Sequence, residues 1–286
     1  MWDVISAQIQ YATGKPFTLR DRRSVSGGSI NQAFRISEGR QSYFVKLSQA
    51  NQVMMFEAEA LGLHDLAASN SIRVPQPICW GIAENYSYIA LEWLDLGRGT
   101  PSAWVELGRQ LAHLHRKTHA QGFGWDRNNT IGSTPQLNPW TQDWANFFIA
   151  HRISYQLQLS QRRGVNFPQK DRLLRAIANQ LSHRPAPSLV HGDLWSGNAG
   201  FSTAGEPIIF DPAVYWGDRE VDIAMTELFG GFPQGFYEGY GAEWPLDEGY
   251  EQRKGIYNLY HILNHFNLFG GSYRAQAEQM IAQIIR

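Results

Sequence analysis

Apolar residues recur at helical spacing near the start of the chain, at Trp2, Ile5, Ile9 and Ala12, and Gly14 with Pro16 predicts a stop there. Three short β-like runs follow, over residues 17–25, 33–37 and 42–47. Ser26-Gly27-Gly28-Ser29-Ile30-Asn31 separates the first two, so an antiparallel meander is expected. Helical spacing returns over 51–69, with Phe56, Leu63 and Leu66 on one face. Pro75-Gln76-Pro77-Ile78 then precedes another β-like run over 86–94. The turn-rich stretch 95–101 marks the expected boundary between an N-terminal lobe, residues 1–94, and a C-terminal lobe, residues 95–286. Downstream, helices are expected over 102–119, 140–159, 170–182, 219–229, 249–269 and 272–286. Short β-like pieces interrupt them at Leu189-Val190 and over 207–210. The pattern predicts an α+β protein: a small lobe with an antiparallel sheet plus helix, joined to a larger, mostly helical lobe.

Composition narrows this picture. Of 286 residues, 43% are hydrophobic and 18% charged, enough apolar mass for a sizeable core. A formal net charge of −1 supplies no field for nucleic acid or an anionic membrane, and neither partner is expected. Cys79 is the single cysteine, which excludes an intramolecular disulfide and fits a reduced, cytoplasmic setting. No run approaches the ~18 apolar residues of a spanning helix. The ten tryptophans read first as core and interface mass.

The strongest chemical signal is His191-Gly192-Asp193-Leu194-Trp195-Ser196-Gly197-Asn198, followed by Ile208-Ile209-Phe210-Asp211-Pro212. Asp193 and Asn198 stand five apart, similar to the protein-kinase catalytic loop, and Asp211 ends an apolar run thirteen residues later. Phosphoryl transfer needs this set: one carboxylate beside the attacking hydroxyl, and an amide and second carboxylate that hold Mg²⁺ against the phosphates. Asp193 is accordingly the candidate base, with Asn198 and Asp211 as metal ligands.

Further pieces fall in the same order along the chain. Lys46 ends the third β-like run, where it would reach the α- and β-phosphates of ATP, although an edge-strand lysine is the plainer reading of it alone. Glu59, on the next helix, is the preferred partner for Lys46, with Glu57 in reserve. The two point about 200° apart on a helical wheel, so one at most faces the lysine. Gly27, Gly28 and Ser29 form either a turn whose N–H groups cover the phosphates or a tight hairpin. The backbone at Glu92 and Leu94, just before the boundary, is placed to meet an adenine edge. His113, His115 and His119, like His261 and His265, lack the offsets of a metal set and read as helix packing. Asp222 either ties down the catalytic-loop backbone or sits as a dipole partner at a helix start.

With these motifs in place, the chain resembles the fructosamine (ketosamine) 3-kinases over about residues 25–274. Pro135-Gln136-Leu137-Asn138, Asp211-Pro212-Ala213, Phe229-Gly230-Gly231-Phe232-Pro233 and Leu263-Asn264-His265-Phe266-Asn267 share in the resemblance. It implies a protein-kinase-like fold and MgATP-dependent phosphorylation of the C3 hydroxyl of a ketosamine, free or protein-bound, as a deglycation repair step. It also implies a leaning towards ribulosamines and erythrulosamines over fructosamines. Trp195 would pack against the sugar or wall the catalytic loop, and Asp218 or Glu220 would recognise the substrate amine. Some relatives carry cysteine in the glycine turn; Ser29 stands there in this chain, so no thiol is available at that turn. The alternatives are a kinase of the aminoglycoside or choline type and an inactive nucleotide-binding regulator.

Overall fold

The computed structural model describes residues 1–25 and 31–286. The chain opens with α1 (Trp2–Thr13), which ends at Gly14 as its sequence predicts. Then come β1 (Asp21–Ser24), β2 (Gln32–Ser37), β3 (Ser42–Gln49), α2 (Val53–Ala68), β4 (Pro77–Ala83) and β5 (Tyr86–Glu92). These five strands form one antiparallel sheet in the order β1-β2-β3-β5-β4.

Period-two alternation sorts the side chains of this sheet onto two faces. Tyr43, Val45 and Leu47 of β3 join Tyr88 and Ala90 of β5 against Ile5 and Ile9 of α1. Ile5 and Ile9 are fully buried, which stabilises the contact by about 1.5–3 kcal/mol each. Ile89 and Leu91 point the other way, onto Phe56, Leu63 and Leu66 of α2, in a core that continues into the C-terminal part. Lys46 lies between Val45 and Leu47, so alternation turns it to the α2 face. That placement makes its chemistry available.

Strand β4 is a departure from expectation, because Pro75 and Pro77 break the apolar pattern. Pro77 is the first residue of an edge strand, a position where a missing N–H costs no ladder bond, and a bulge follows it. Glu84, with φ of 56°, then turns the chain back into β5.

The C-terminal part comprises β6 (Leu96–Gly97), α3 (Pro101–His115), the hairpin β7 (Asn129–Ile131) and β8 (Thr134–Gln136), α4 (Trp144–Phe148), α5 (Tyr155–Arg162) and α6 (Lys170–Gln180). It continues through β9 (Ser188–Val190), β10 (Ala199–Ser202), β11 (Pro207–Ile209), β12 (Tyr215–Gly217), α7 (Glu220–Leu228), α8 (Gln234–Glu243), α9 (Tyr250–Phe269) and α10 (Tyr273–Ile284). A π-helical turn, Ile149–Ser154, joins α4 to α5. Strand β6 pairs with β10, and β10 with β11; separately, β9 pairs with β12.

Helix α3 ends at His115, short of the expected residue 119, because Lys117 and His119 turn to bond Leu189 and Pro187. Helix α8 was not expected from its glycine-rich sequence, and packing explains it. A Cβ at Gly108 of α3 would lie 2.0 Å from Phe236 O, and one at Gly239 of α8 would lie 2.0 Å from Val105 O. The two helices touch backbone to backbone, and only glycine permits that approach.

Candidate active site

The paired strands β9 and β12 deliver two short loops to the same place. Ala213 N–H donates to His191 O at 2.8 Å, which ties the loop after β9 to the one before β12. Gly192 has φ of 81°, and a Cβ there would lie 2.2 Å from Ala213 O, so the residue before Asp193 must be glycine. Phe210 N–H donates to Asn198 O at 3.0 Å and thereby sets Asp211 beside Asn198. Asn198 Nδ2 donates to Asp193 O at 2.9 Å and to Asp193 Oδ2 at 3.2 Å. With Nδ2 spent on Asp193, Oδ1 is the amide atom left to face a cation.

Lys46 joins this group from the sheet. It is 7% exposed, and its Nζ donates to Glu59 Oε1 at 2.7 Å and to Asp211 Oδ1. Glu57 instead faces Arg127, at 3.3 Å. The helical wheel separates the two glutamates, and the structure places Glu59 on the lysine. Asp211 has φ of 57°, a left-handed conformation that aspartate tolerates better than most residues and that is found at functional sites. The oxygen donors left over, the Asp211 carboxylate and Asn198 Oδ1, are hard and too few to complete a shell. That fits Mg²⁺, which keeps several waters and draws the rest of its shell from phosphates.

The connector after β5 is arranged differently from its side-chain pattern. Glu92 pairs with Arg73 at 2.6 Å, and its N–H donates to Gln76 O at 2.8 Å. The Leu94 N–H has no hydrogen-bond partner among the described residues. What this connector can offer an adenine edge is main chain, not the Glu92 carboxylate. Gly27, Gly28 and Ser29 lie outside the described residues.

Behind the loop sits a fully buried brace. Asp222 accepts hydrogen bonds from His191 N–H at 2.7 Å, Gly192 N–H at 2.8 Å and His115 Nε2 at 3.0 Å. Tyr240 OH meets the other nitrogen of His115 at 2.9 Å. Burial alone would raise the Asp222 carboxyl; the His115 hydrogen bond, the nearby His115 and His191 imidazoles and the Gly192 N–H outweigh it and hold it below its ordinary value. His191 Nδ1 accepts from Asp193 N–H at 3.2 Å, so Nε2 carries the proton and donates to Phe210 O at 3.0 Å. Burial keeps this imidazole below its ordinary value. His115, read in the sequence as helix packing, is part of the brace.

Asp193 lies at the base of the cleft. Burial pushes its carboxyl up to about 7, the Asp222 charge adds to the rise and the Asn198 hydrogen bond opposes it. Its side chain keeps 23% of its surface open, and solvent there moderates the rise. His261, midway along α9, brings Nδ1 to 3.8 Å from Asp193 Oδ1. Trp195 is 37% exposed, edge-on to Phe229 with ring centroids 6.2 Å apart, and so presents an open aromatic surface two residues from Asp193.

Asp218 and Glu220 do not face a substrate amine. Asp218 accepts from Tyr257 OH at 2.6 Å and meets His183 at 2.7 Å, while both oxygens of Glu220 bind Arg253, at 2.6 and 2.7 Å. Both carboxylates are buried, and Arg253 already supplies the cation Glu220 needs.

This geometry can be compared with that of known proteins. The family model described as fructosamine kinase matches residues 1–286. The chain belongs to the fructosamine kinase family. A protein of Synechocystis sp. named "Probable ketoamine kinase" is 56% identical over all of this chain and 97% of its own. The chloroplastic protein-ribulosamine 3-kinase of Arabidopsis thaliana is 40% identical, over 96% of this chain and 85% of its own. The crystal structure of a candidate fructosamine-3-kinase from Haemophilus somnus is similar with a TM-score of 0.95 at 34% identity, over 100% of this chain and 98% of that one. An aminoglycoside phosphotransferase, APH(4)-Ia, solved with AMP-PNP and hygromycin B, shares the fold alone: TM-score 0.62 at 16% identity, covering 99% of this chain and 97% of that one. The fructosamine kinase family member described here is thus a kinase with the two-lobed α+β fold of the aminoglycoside phosphotransferases. No helix among its described residues is long and apolar enough to cross a membrane.

Proposed function

We propose that this fructosamine kinase family member transfers the γ-phosphoryl group of ATP to the C3 hydroxyl of a ketosamine, the rearranged adduct of a sugar and an amine. The observation that carries the reading is the convergence of Lys46, Glu59 and Asp211 from one side with Asp193 and Asn198 from the other. Residues 1–94 supply the groups that meet the ATP phosphates, and residues 95–286 supply the catalytic loop, the metal ligands and the ketosamine site.

The division of labour follows from the contacts. Lys46, held by Glu59, neutralises the α- and β-phosphates, and the main chain around Glu92 and Leu94 meets the adenine edge. Gly27, Gly28 and Ser29 contribute backbone N–H groups to the phosphates. Asn198 Oδ1 and the Asp211 carboxylate hold Mg²⁺, whose charge offsets that of the phosphates when bound. Asp193 aligns the acceptor and takes the C3 hydroxyl proton late, because the transition state for phosphoryl transfer is loose and alignment is the main demand. The new O–P bond forms as the bond to the ADP leaving oxygen breaks, and Trp195 packs against the sugar.

The name of the Arabidopsis relative supports ribulosamines as the preferred acceptors. A 3-phosphoketosamine decomposes and frees the amine, so the reaction serves to reverse glycation. The test is ATP turnover on ribulose- and fructose-derived adducts of lysine, with NMR placement of the new phosphate. Faster turnover of the ribulose adduct, with phosphorus on O3, is expected. Phosphorylation of choline or an aminoglycoside, with both adducts untouched, would overturn the reading.

A further inference from the structure

His261 is 4% exposed, and its Nδ1 has no hydrogen-bond partner among the described residues. Buried nitrogens are rarely left so, because an unpaired polar atom away from water is costly. Its surroundings are already committed elsewhere. His265 Nδ1 donates to the His261 carbonyl oxygen at 2.8 Å, and Tyr260 OH donates to Gln136 Oε1 at 2.7 Å. The carboxylate that Nδ1 approaches is that of Asp193, with Oδ1 at 3.8 Å, beyond hydrogen-bond range. Asp193 Oδ2 is occupied by Asn198, so Oδ1 is the oxygen left for the acceptor hydroxyl. Two unpaired atoms therefore stand side by side at the base of the cleft.

We infer that His261 Nδ1 binds the hydroxyl on the carbon adjacent to the phosphorylated one, so that Asp193 and His261 together read the vicinal 3,4-diol of the acceptor. The inference rests on the ketosamine reading and deepens it. Gauche hydroxyls on neighbouring carbons hold their oxygens about one hydrogen-bond length apart, so two roughly parallel bonds, fanning slightly, span a pair of protein atoms at this separation. O3 donates to Asp193 Oδ1, and O4 accepts from His261 Nδ1–H. Burial keeps His261 neutral, and the tautomer with its proton on Nδ1, the nitrogen facing the Asp193 carboxylate, is a donor that brings no positive charge against Asp193.

The chemistry selects a class. Four-, five- and six-carbon ketosamines all carry O4, so the pair accepts each of them without measuring the length of the sugar. An acceptor with a lone hydroxyl satisfies Asp193 and leaves His261 unpaired, and a site built to bind a hydroxyl rejects the analogue that lacks it.

The test measures kcat/KM for a ribulosamine and its 4-deoxy analogue, on the wild type and on His261→Phe and His261→Asn. The wild type should prefer the parent by on the order of tenfold to a hundredfold. His261→Phe should lose activity on the parent alone, so that the preference disappears while the KM for ATP stays unchanged. His261→Asn, which keeps an N–H donor, should restore part of it. Equal turnover of both compounds by the wild type sinks the diol reading, whether or not the variants fold. So does a preference that persists in His261→Phe. Failure of the wild type on both compounds, with another acceptor phosphorylated, instead removes the ketosamine reading and this inference with it.

Discussion

The two walls of the cleft are held by different physics. On the nucleotide side Lys46, Glu59 and Asp211 form a chain of full charges, with the Asp211 side chain 41% exposed. On the proposed acceptor side Asp193 is fixed by the Asn198 amide and by a loop pinned to the fully buried Asp222. A chain of charges can exchange partners when a triphosphate arrives, since Lys46 can trade the Asp211 carboxylate for phosphate oxygens. A loop pinned by both oxygens of the buried Asp222 cannot rearrange so cheaply, and it holds Asp193 in place with Oδ1 left open. In the proposed assignment the nucleotide wall responds and the acceptor wall stays.

The sharpest way to break this contrast is Asp193→Asn. Turnover should fall by about 10³-fold, the range of a lost general base, while MgATP affinity changes by less than about twofold. Near-normal turnover would remove Asp193 from the role of base.

The rigidity of the acceptor wall is tested by Asp222→Ala. The substitution strands two buried N–H groups and His115, so stability should drop by about 3 kcal/mol or more, read as a lower urea midpoint.

A pH series examines the same wall. Unfolded His261 takes up a proton below its ordinary value of 6.5, whereas burial holds the folded imidazole down to about 3. Between those values the unfolded state binds more protons, so stability falls as pH falls, by about 1.4 kcal/mol per unit from this group. Urea unfolding of His261→Phe at pH 7 and pH 5 should show a loss of stability over that interval smaller than the wild type's by about 2 kcal/mol.

The smallest effects belong to the nucleotide wall. Glu59→Gln should raise the KM for ATP by about tenfold, the worth of one charge-assisted hydrogen bond. Glu57→Gln breaks only a part-exposed pair with Arg127 and should leave KM unchanged and stability within about 1 kcal/mol. If the two variants behave alike, the assignment of Glu59 to Lys46 is wrong.

The same division shows in what can be read from the chain. Asp193, Asn198 and Asp211 are legible because local strand-and-loop geometry relates them, and their spacing survives as a motif. Lys46 is legible from alternation in β3, once the strand is placed. Other features depend on partners far along the chain. The His261–Asp193 encounter joins a helix near the end of the chain to the catalytic loop, and its only hint in the sequence is a pair of histidines four apart. Asp218 and Glu220 look available to a substrate until Arg253 and Tyr257 reach them from α9. His115 reads as packing because its acceptor, Asp222, comes from α7. The missed elements have local causes: prolines conceal β4, and glycines that allow close helix contact conceal α8.

The proposed handling of metal-bound nucleotide and acceptor by separate walls can be read by calorimetric titration of MgATP into Asp211→Ala and Asp193→Asn. Asp211→Ala should bind MgATP more weakly, with little change for ATP without Mg²⁺, and Asp193→Asn should bind MgATP as the wild type does. Wild-type MgATP affinity in Asp211→Ala would contradict that separation.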